Sequence, residues 1–117
     1  MSVKKNKANE AAEGLRLDLD KIKHDEGIVG YILRDAKSAS IDIKDPSKII
    51  DYAALSSTAL ESGQSVSEVF ELGDIHSVVV EGEDIKVLSM SAGDRRLSIF
   101  MRHDVDHEKI RKDLHLK

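Results

Sequence analysis

Residues 73–101, GDIHSVVVEGEDIKVLSMSAGDRRLSIFM, hold three short runs of β-forming residues separated by two polar segments. The runs at 75–80, 85–90 and 97–101 are rich in Val, Ile and Leu, and the segments between them carry Gly and Asp. Polar segments of this length and composition join neighbouring strands as tight hairpins. The last third of the chain therefore predicts a meander of three antiparallel strands.

The residues before this meander predict two more strands and a long helix. Gly27–Leu33 is apolar on both alternating faces, which is typical of a strand covered on both sides, and Ala39–Ile43 alternates apolar with polar residues. Asp45 and Pro46 form a helix-start signal. The helix that follows is rich in Ala, Ser and Thr, and Gly63 is predicted to weaken or end it, with a final turn or two as the alternative.

The two ends of the chain also show helical spacing. Apolar residues recur every three or four positions over residues 8–22, and residues 105–114 repeat the pattern. The chain is therefore predicted to follow the order α-β-β-α-β-β-β-α, a single α+β domain with an antiparallel sheet. Residues 1–8 are predicted to be a flexible tail, and residues 9–117 the domain.

Composition excludes several classes of function. The 117 residues include 18 basic and 22 acidic side chains and no cysteine, so disulfides and Cys-ligated metals are absent. Residues 25–101 alone hold seven basic and fourteen acidic side chains, a balance that opposes nucleic-acid binding. No apolar stretch approaches the ~20 residues that span a bilayer. We expect a soluble cytoplasmic protein with no nucleic-acid partner and no direct membrane insertion.

Two strings in this framework resemble the Roadblock/LC7 family, small longin-like dimers related to dynein light chains. They are GIVG at 27–30, which opens the first strand, and GDIHSVVVE at 73–81, with the small-residue helix between them. Family members place an Asp-Gly turn between their first two strands, where this chain has Ala36 and Lys37. The resemblance implies one antiparallel sheet in the strand order 2-1-5-4-3, with the central helix on one face and both terminal helices on the other.

In that order the third strand is an edge strand. Its residues are His76, Ser77, Val78, Val79 and Val80. The valine run has no internal charge, proline or evident bulge, and an exposed edge of this kind pairs readily with another chain. We therefore expect a homodimer in which two copies of this strand pair antiparallel. The alternative is that the valines belong to an ordinary interior strand, because β-runs of low charge are usually buried.

The resemblance also implies a partner. Similar family members include scaffolds for GTPase pairs and a gliding-motility GTPase-activating protein that arranges its partner's own switch regions. They imply a non-catalytic module, without a cofactor, that binds and regulates or scaffolds a small Ras-like GTPase.

By position, the candidate contact residues on the central helix are Asp51, Tyr52, Leu55, Thr58 and Glu61. The alternative for Tyr52 and Leu55 is that they pack on the sheet. The alternative function is a dynein light chain-like adaptor that holds a peptide or a larger complex without a GTPase.

Other clusters suggest different chemistry less strongly. His103 and His107 have acidic neighbours and the composition of a metal site, although Asp106 fits a helix cap better. The acids at 81–84 fit a solvated turn, and the arginines at 95–96 fit the end of a hairpin better than a finger supplied to a GTPase. The sequence has no phosphate-binding loop and no nucleophile elbow. We predict that the chain is not an enzyme.

Overall fold

The computed structural model describes residues 7–114, and within that range it contains three α-helices and five strands. Their bounds are α1 Lys7–Ile22, β1 Ile28–Arg34, β2 Ala39–Ile43, α2 Ile49–Phe70, β3 Ser77–Glu81, β4 Ile85–Ala92, β5 Arg95–Arg102 and α3 His107–Lys112. The predicted order of elements is confirmed. Helix α1 begins inside the stretch 1–8 that was predicted to be a flexible tail, and the rest of that tail lies outside the described residues.

The five strands form one antiparallel sheet in the order β2-β1-β5-β4-β3. β1 and β5 lie side by side at its centre, with Tyr31 opposite Ile99. β4 joins β5 to β3 through two antiparallel ladders. The predicted fold class and strand order are both confirmed, and β2 and β3 are the two edges of the sheet.

Helices α1 and α3 cover one face of this sheet. Helix α1 buries Leu15, Leu19 and Ile22, while Ile110 of α3 and the following Leu114 are buried beside them. These side chains pack on the sheet residues Ile28, Leu88, Met90, Leu97, Ile99 and Met101. Each large aliphatic side chain removed from water in this way contributes about 1.5–3 kcal/mol. Both terminal helices share one face, as the resemblance implied.

Helix α2 covers the other face, around Phe100. Tyr52 stacks on this ring, with centroids 4.5 Å apart and an interplanar angle of 12°. Further along the helix, Gly63 lies against β3, where an added Cβ atom would come within 2.5 Å of Val78 Cγ2. The helix therefore crosses from β5 to β3, and its last turns lie at the β3 edge of the sheet.

The prediction that Gly63 ends the central helix is wrong, and the alternative of a final turn or two beyond it is confirmed. Helix α2 continues through it to Phe70 and stops where Glu71 takes a left-handed conformation with φ of 55°. Only a residue without a side chain leaves room for Val78 at this crossing. The glycine serves packing between helix and strand rather than chain reversal.

A carboxylate shapes the turn between β1 and β2, which contains Ala36 and Lys37. Asp35 Oδ1 accepts hydrogen bonds from the backbone N–H groups of Lys37 and Ser38, both at 2.8 Å. The Asp35 N–H in turn donates to the Ser38 carbonyl at 2.9 Å. Bonds from backbone N–H groups stabilise the ionised carboxylate and hold the pKa of Asp35 below its ordinary value.

The apolar face predicted for β2 is only partly covered. Ile43 is buried, but Ile41 is 45% exposed. Both point to the α2 side of the sheet, since Ile41 lies opposite the buried Ile32 of β1. The core under α2 reaches Ile32 and Ile43 but leaves Ile41 outside, because the helix runs away from this edge towards β3.

Candidate interaction surface

β3 is an edge strand with one free side. Among the described residues it pairs only with β4, from Ser77 opposite Met90 to Glu81 opposite Lys86. The alternative that its valines form an interior strand is therefore wrong. Beyond the two ends of β3, the Ser91 N–H donates to the His76 carbonyl at 3.1 Å and the Gly82 N–H donates to the Ile85 carbonyl at 2.9 Å.

These two bonds fix which backbone groups of β3 face outward. In an antiparallel ladder, successive residues bond alternately to one neighbour and to the other side. Because His76 and Gly82 bond towards β4, Val78 and Val80 do so as well. The N–H and C=O groups of the alternate residues therefore point away from the sheet, where a further strand would pair with them. These residues are Ser77, Val79 and Glu81.

The five predicted edge residues differ in the direction of their side chains. His76 and Ser77 are exposed at the start of the strand. Val78 lies under Gly63 on the α2 side, whereas Val79 packs against the core beneath α1 and α3. Val80 returns to the α2 side, lies opposite Val87 and is 40% exposed. The strand is thus fixed to its own domain through Val78 and Val79 and leaves Val80 uncovered.

The last turns of α2 carry an exposed apolar group that we call the apolar end of α2. It consists of Val66, Val69, Phe70 and Leu72, with exposures of 50%, 75%, 69% and 61%. Ser67, between them, is buried and donates through Oγ to the Gly73 carbonyl, which holds the following loop against the helix. Large apolar side chains grouped on a surface mark an interface more often than isolated ones do. Sequence reasoning left this group unassigned, because spacing does not show where a helix passes the edge of its sheet.

The five predicted partner-binding residues separate into two groups. Asp51, Thr58 and Glu61 are exposed on the outer side of α2. Tyr52 and Leu55 instead pack against the core under the helix, as the alternative held for them. Burial raises the pKa of the Tyr52 hydroxyl, and nearby Asp45 and Asp51 act in the same direction. Tyr52 and Leu55 are therefore packing residues, and the outer three remain the candidates for contact.

A buried hydroxyl cluster lies beneath the middle of α2. Ser98 Oγ is 2.6 Å from Ser56 Oγ and 2.7 Å from Ser89 Oγ. The three residues are almost inaccessible to solvent. Each hydroxyl can donate one hydrogen bond and accept others, so Ser98 links the other two and each of the three oxygens has a partner in the cluster. The small side chains noted in the central helix were its only sequence signal, and the β4 and β5 serines gave none.

A buried cation lies on the other face. Lys86 is 5% exposed, and its Nζ is 3.1 Å from His107 Nδ1 and 3.9 Å from Glu81 Oε1. His107 therefore contacts a cation through Nδ1, and its Nε2 is 3.9 Å from Glu108 Oε1. Asp106 caps α3 by accepting from the Glu108 and Lys109 backbone N–H groups at 3.0 and 3.3 Å. In residues 7–114, no three His, Asp or Glu side chains lie close enough to hold a metal ion.

Two solved structures share this architecture. The crystal structure of a Roadblock/LC7 domain from Streptomyces avermitilis superimposes with a TM-score of 0.67, covering 84% of this chain and 86% of that one at 19% identity. The chain has the Roadblock/LC7 fold. The gliding protein mglB from Thermus thermophilus is also similar, with a TM-score of 0.61, coverage of 95% and 85%, and 18% identity.

The fold implied by the strings at 27–30 and 73–81 is therefore confirmed, and the Roadblock/LC7 architecture accounts for the edge position of β3. No family model and no curated protein matches the chain. Over the part that the structure describes, no helix is long and apolar enough to cross a membrane.

Proposed function

We propose that the chain is a non-catalytic, cytoplasmic interaction module that acts as a homodimer and binds a small Ras-like GTPase, which it regulates or scaffolds. The observation that carries the proposal is the free side of β3, where Ser77, Val79 and Glu81 point their backbone groups outward. Two copies of β3 would pair antiparallel across this side and join two sheets into one.

The side chains around β3 favour pairing at this edge over the other one. Val80 and the apolar end of α2 lie at the β3 edge, so pairing would cover apolar surface as well as backbone groups. β2 is the less suitable edge, because Lys37, Asp42 and Lys44 in and beside it oppose the approach of another strand. The same pairing would bring two α2 helices into one platform.

Two grounds support a GTPase as the partner, namely the resemblance and the exposed outer side of α2. Asp51, Thr58 and Glu61 are exposed there, and the mglB gliding protein shares the fold. A partner that brings its own nucleotide and catalytic groups needs only a surface that orders its switch segments. The buried hydroxyl cluster and Lys86 are both covered by the fold and therefore serve its packing. This is consistent with a protein that binds a partner through its surface.

A lysine substitution at each edge tests the dimer. Val80→Lys places a charge at the proposed seam, and Ile41→Lys is its matched control, because both residues are exposed to a similar degree on the α2 side of an edge strand. We expect a dimeric mass in solution for the wild type and for Ile41→Lys, and a monomer for Val80→Lys. Val79 is unsuitable because it packs on the core. A Val80→Lys variant that stays dimeric and folded would contradict pairing through β3.

The adaptor function remains the second candidate, because the free β3 edge can also accept an extended peptide as an added strand. The two functions differ in their response to nucleotide. For a regulator or scaffold of a GTPase, we expect the dimer to bind one form of a Ras-like GTPase, GDP-bound or GTP-analogue-bound, more tightly than the other form. Two results together would favour the adaptor. The first is equal binding of both forms of the GTPase, or no binding; the second is a peptide that competes with dimer formation.

A further inference from the structure

The segment of the chain that forms α2, β3 and the loops that follow them has acidic side chains and no Lys or Arg of its own. Residues 49–85 contain eight acidic side chains and not one Lys or Arg. All eight acids are exposed. Glu81 lies 3.9 Å from the buried Lys86 Nζ on the other face of the sheet and is not counted. We call the other seven the acidic α2–β3 surface, and its members are Asp51, Glu61, Glu68, Glu71, Asp74, Glu83 and Asp84.

Positive charge reaches this surface at its margins. At the start of β3, Arg111 and Lys112 line the same cavity as Asp74. Lys48 directly precedes α2, and Arg34 donates to Ser57 Oγ at 3.2 Å on the flank of the helix. Lys86 follows the segment but is buried against His107, so its ammonium group is not displayed to a partner. The outer side of α2 is therefore acidic as well as apolar, with Ile50 83% exposed near its start and the apolar end of α2 at its finish.

Apolar groups and charges on this surface act in opposite directions when two copies meet. The free β3 edge and the apolar end of α2 favour pairing, whereas pairing brings two acidic surfaces together. At an ionic strength near 0.01 M the Debye length is about 30 Å, so these carboxylates repel one another across the seam, and near 1 M it is about 3 Å. A second copy alone leaves this repulsion uncompensated.

We propose that the acidic α2–β3 surface binds a protein whose contacting face is basic around an apolar centre, and that this partner strengthens the dimer. The proposal rests on the proposed function and specifies the chemistry of its partner. Lys and Arg side chains of the partner would compensate carboxylates from both copies, while its apolar centre would cover the exposed apolar groups between them. Nucleic acids and anionic membranes carry the wrong charge for this surface.

The dependence of the dimer dissociation constant on salt concentration tests whether the carboxylates of two copies repel each other. We expect the wild-type constant, measured by sedimentation equilibrium, to fall about threefold or more between about 0.05 M and about 0.5 M NaCl. The double variant Glu61→Gln, Glu68→Gln should pair more tightly at low salt and respond less to it. The control Asp20→Asn, Glu26→Gln makes the same change in charge on α1 and the turn before β1, and should behave as the wild type.

Each alternative outcome is distinguishable. A wild-type dimer that weakens with salt or does not respond, or a control that matches the Glu61 and Glu68 variant, would overturn the electrostatic inference and leave the homodimer standing. A monomer at both salt concentrations would overturn the homodimer and this inference together.

A defined cationic probe tests the partner chemistry. We expect a helical peptide of Leu and Lys to bind the wild type and to lower the dimer dissociation constant, and its counterpart of Leu and Glu to do neither. Affinity for the Leu-Lys peptide should fall about threefold or more in the Glu61→Gln, Glu68→Gln variant and not in the Asp20→Asn, Glu26→Gln control. Equal loss in both variants, or a peptide that dissociates the dimer, would overturn the proposal.

Discussion

Ser98 holds the centre of α2 on the sheet through a contact that involves no apolar surface. Its hydroxyl bridges Ser56 on the helix and Ser89 on β4, and neither of those hydroxyls has access to water. A buried hydroxyl without a partner costs more than its hydrogen bond contributes when made. The cluster therefore fixes the position of the helix over β4 and β5 more strictly than aliphatic packing alone would.

Removing the central hydroxyl tests this role. We expect Ser98→Ala to lower the free energy of unfolding by about 2 kcal/mol, because it leaves two hydroxyls with unmet hydrogen bonds. The triple variant with Ala at Ser56, Ser89 and Ser98 should lose less than three times that amount, since no unpaired hydroxyl remains. Urea unfolding at one protein concentration measures both, with the exposed Ser40→Ala as control. A triple variant that loses three times as much as Ser98→Ala, or more, would contradict the argument.

Asp35 predicts a pH dependence at the β1–β2 turn. Backbone hydrogen bonds from Lys37 and Ser38 lower its folded-state pKa. Its contribution to stability is therefore complete above the unfolded pKa of about 4 and is lost as the pH falls through the lower folded value. Asp35→Asn keeps an acceptor oxygen but cannot titrate. We expect its free energy of unfolding to fall less than that of the wild type between about pH 5 and about pH 2.5. Identical declines would contradict this account.

At the scale of elements, the sequence was sufficient wherever a pattern depends on the chain itself. Period-two and period-3.6 spacing located the strands and terminal helices, and Asp106 was recognised as a cap. Features that depend on contacts between distant residues were missed. Gly63 was predicted to weaken or end the helix, because its neighbour Val78 comes from another element. Packing of Tyr52 on the sheet was left as an alternative, because its stacking partner Phe100 is on β5.

At the candidate surface, too, some features were predicted from the sequence and others depended on contacts between distant residues. The charge-free run ending at Val80, with the implied strand order, was enough to predict an edge. Spacing alone did not predict that Val79 points into the core while Val80 stays uncovered, because the side on which a strand residue lies depends on the register with β4. The apolar end of α2 was missed for a related reason, since the sequence does not say how far the helix extends along the sheet.

The crossing of α2 over β3 predicts an unusual response to alanine. In an open helix, Gly→Ala is stabilising by about 1 kcal/mol. At Gly63 the new Cβ would lie 2.5 Å from Val78 Cγ2, and overpacking of this kind costs about 1–3 kcal/mol. Because valine is stiff at χ1, we expect the clash to prevail and Gly63→Ala to lower the free energy of unfolding in urea.

A second substitution separates strain from propensity. Val78→Ala removes the methyl group that the new side chain would meet, so Gly63→Ala should be less harmful, or stabilising, in the Val78→Ala background than in the wild type. The difference between the two backgrounds is the coupling between helix and edge strand. Additive effects of the two changes would show that α2 shifts away from β3 freely.

At the scale of the whole molecule, the domain is asymmetric about its sheet. One face is closed by α1 and α3 over a large aliphatic core, whereas α2 on the other face leaves its last turns and the β3 edge uncovered. The acidic α2–β3 surface is formed by the same segment of the chain, residues 49–85. Exposed apolar groups and acidic side chains therefore come from one segment, and we expect an assembly through it to respond to salt.

Amide hydrogen exchange along β3 tests the proposed pair residue by residue. The amides of Val78 and Val80 bond to β4 within one copy, in the monomer and in the proposed dimer alike. Those of Ser77, Val79 and Glu81 point outward. We expect the outward amides to exchange quickly in dilute, monomeric protein and to slow by about tenfold or more as the concentration rises through the dimer dissociation constant. The amides of Val78 and Val80 should stay protected throughout. If the outward amides still exchanged quickly in a sample of dimeric mass, two copies would be joined elsewhere, and the uncovered end of α2 would be the next surface to examine.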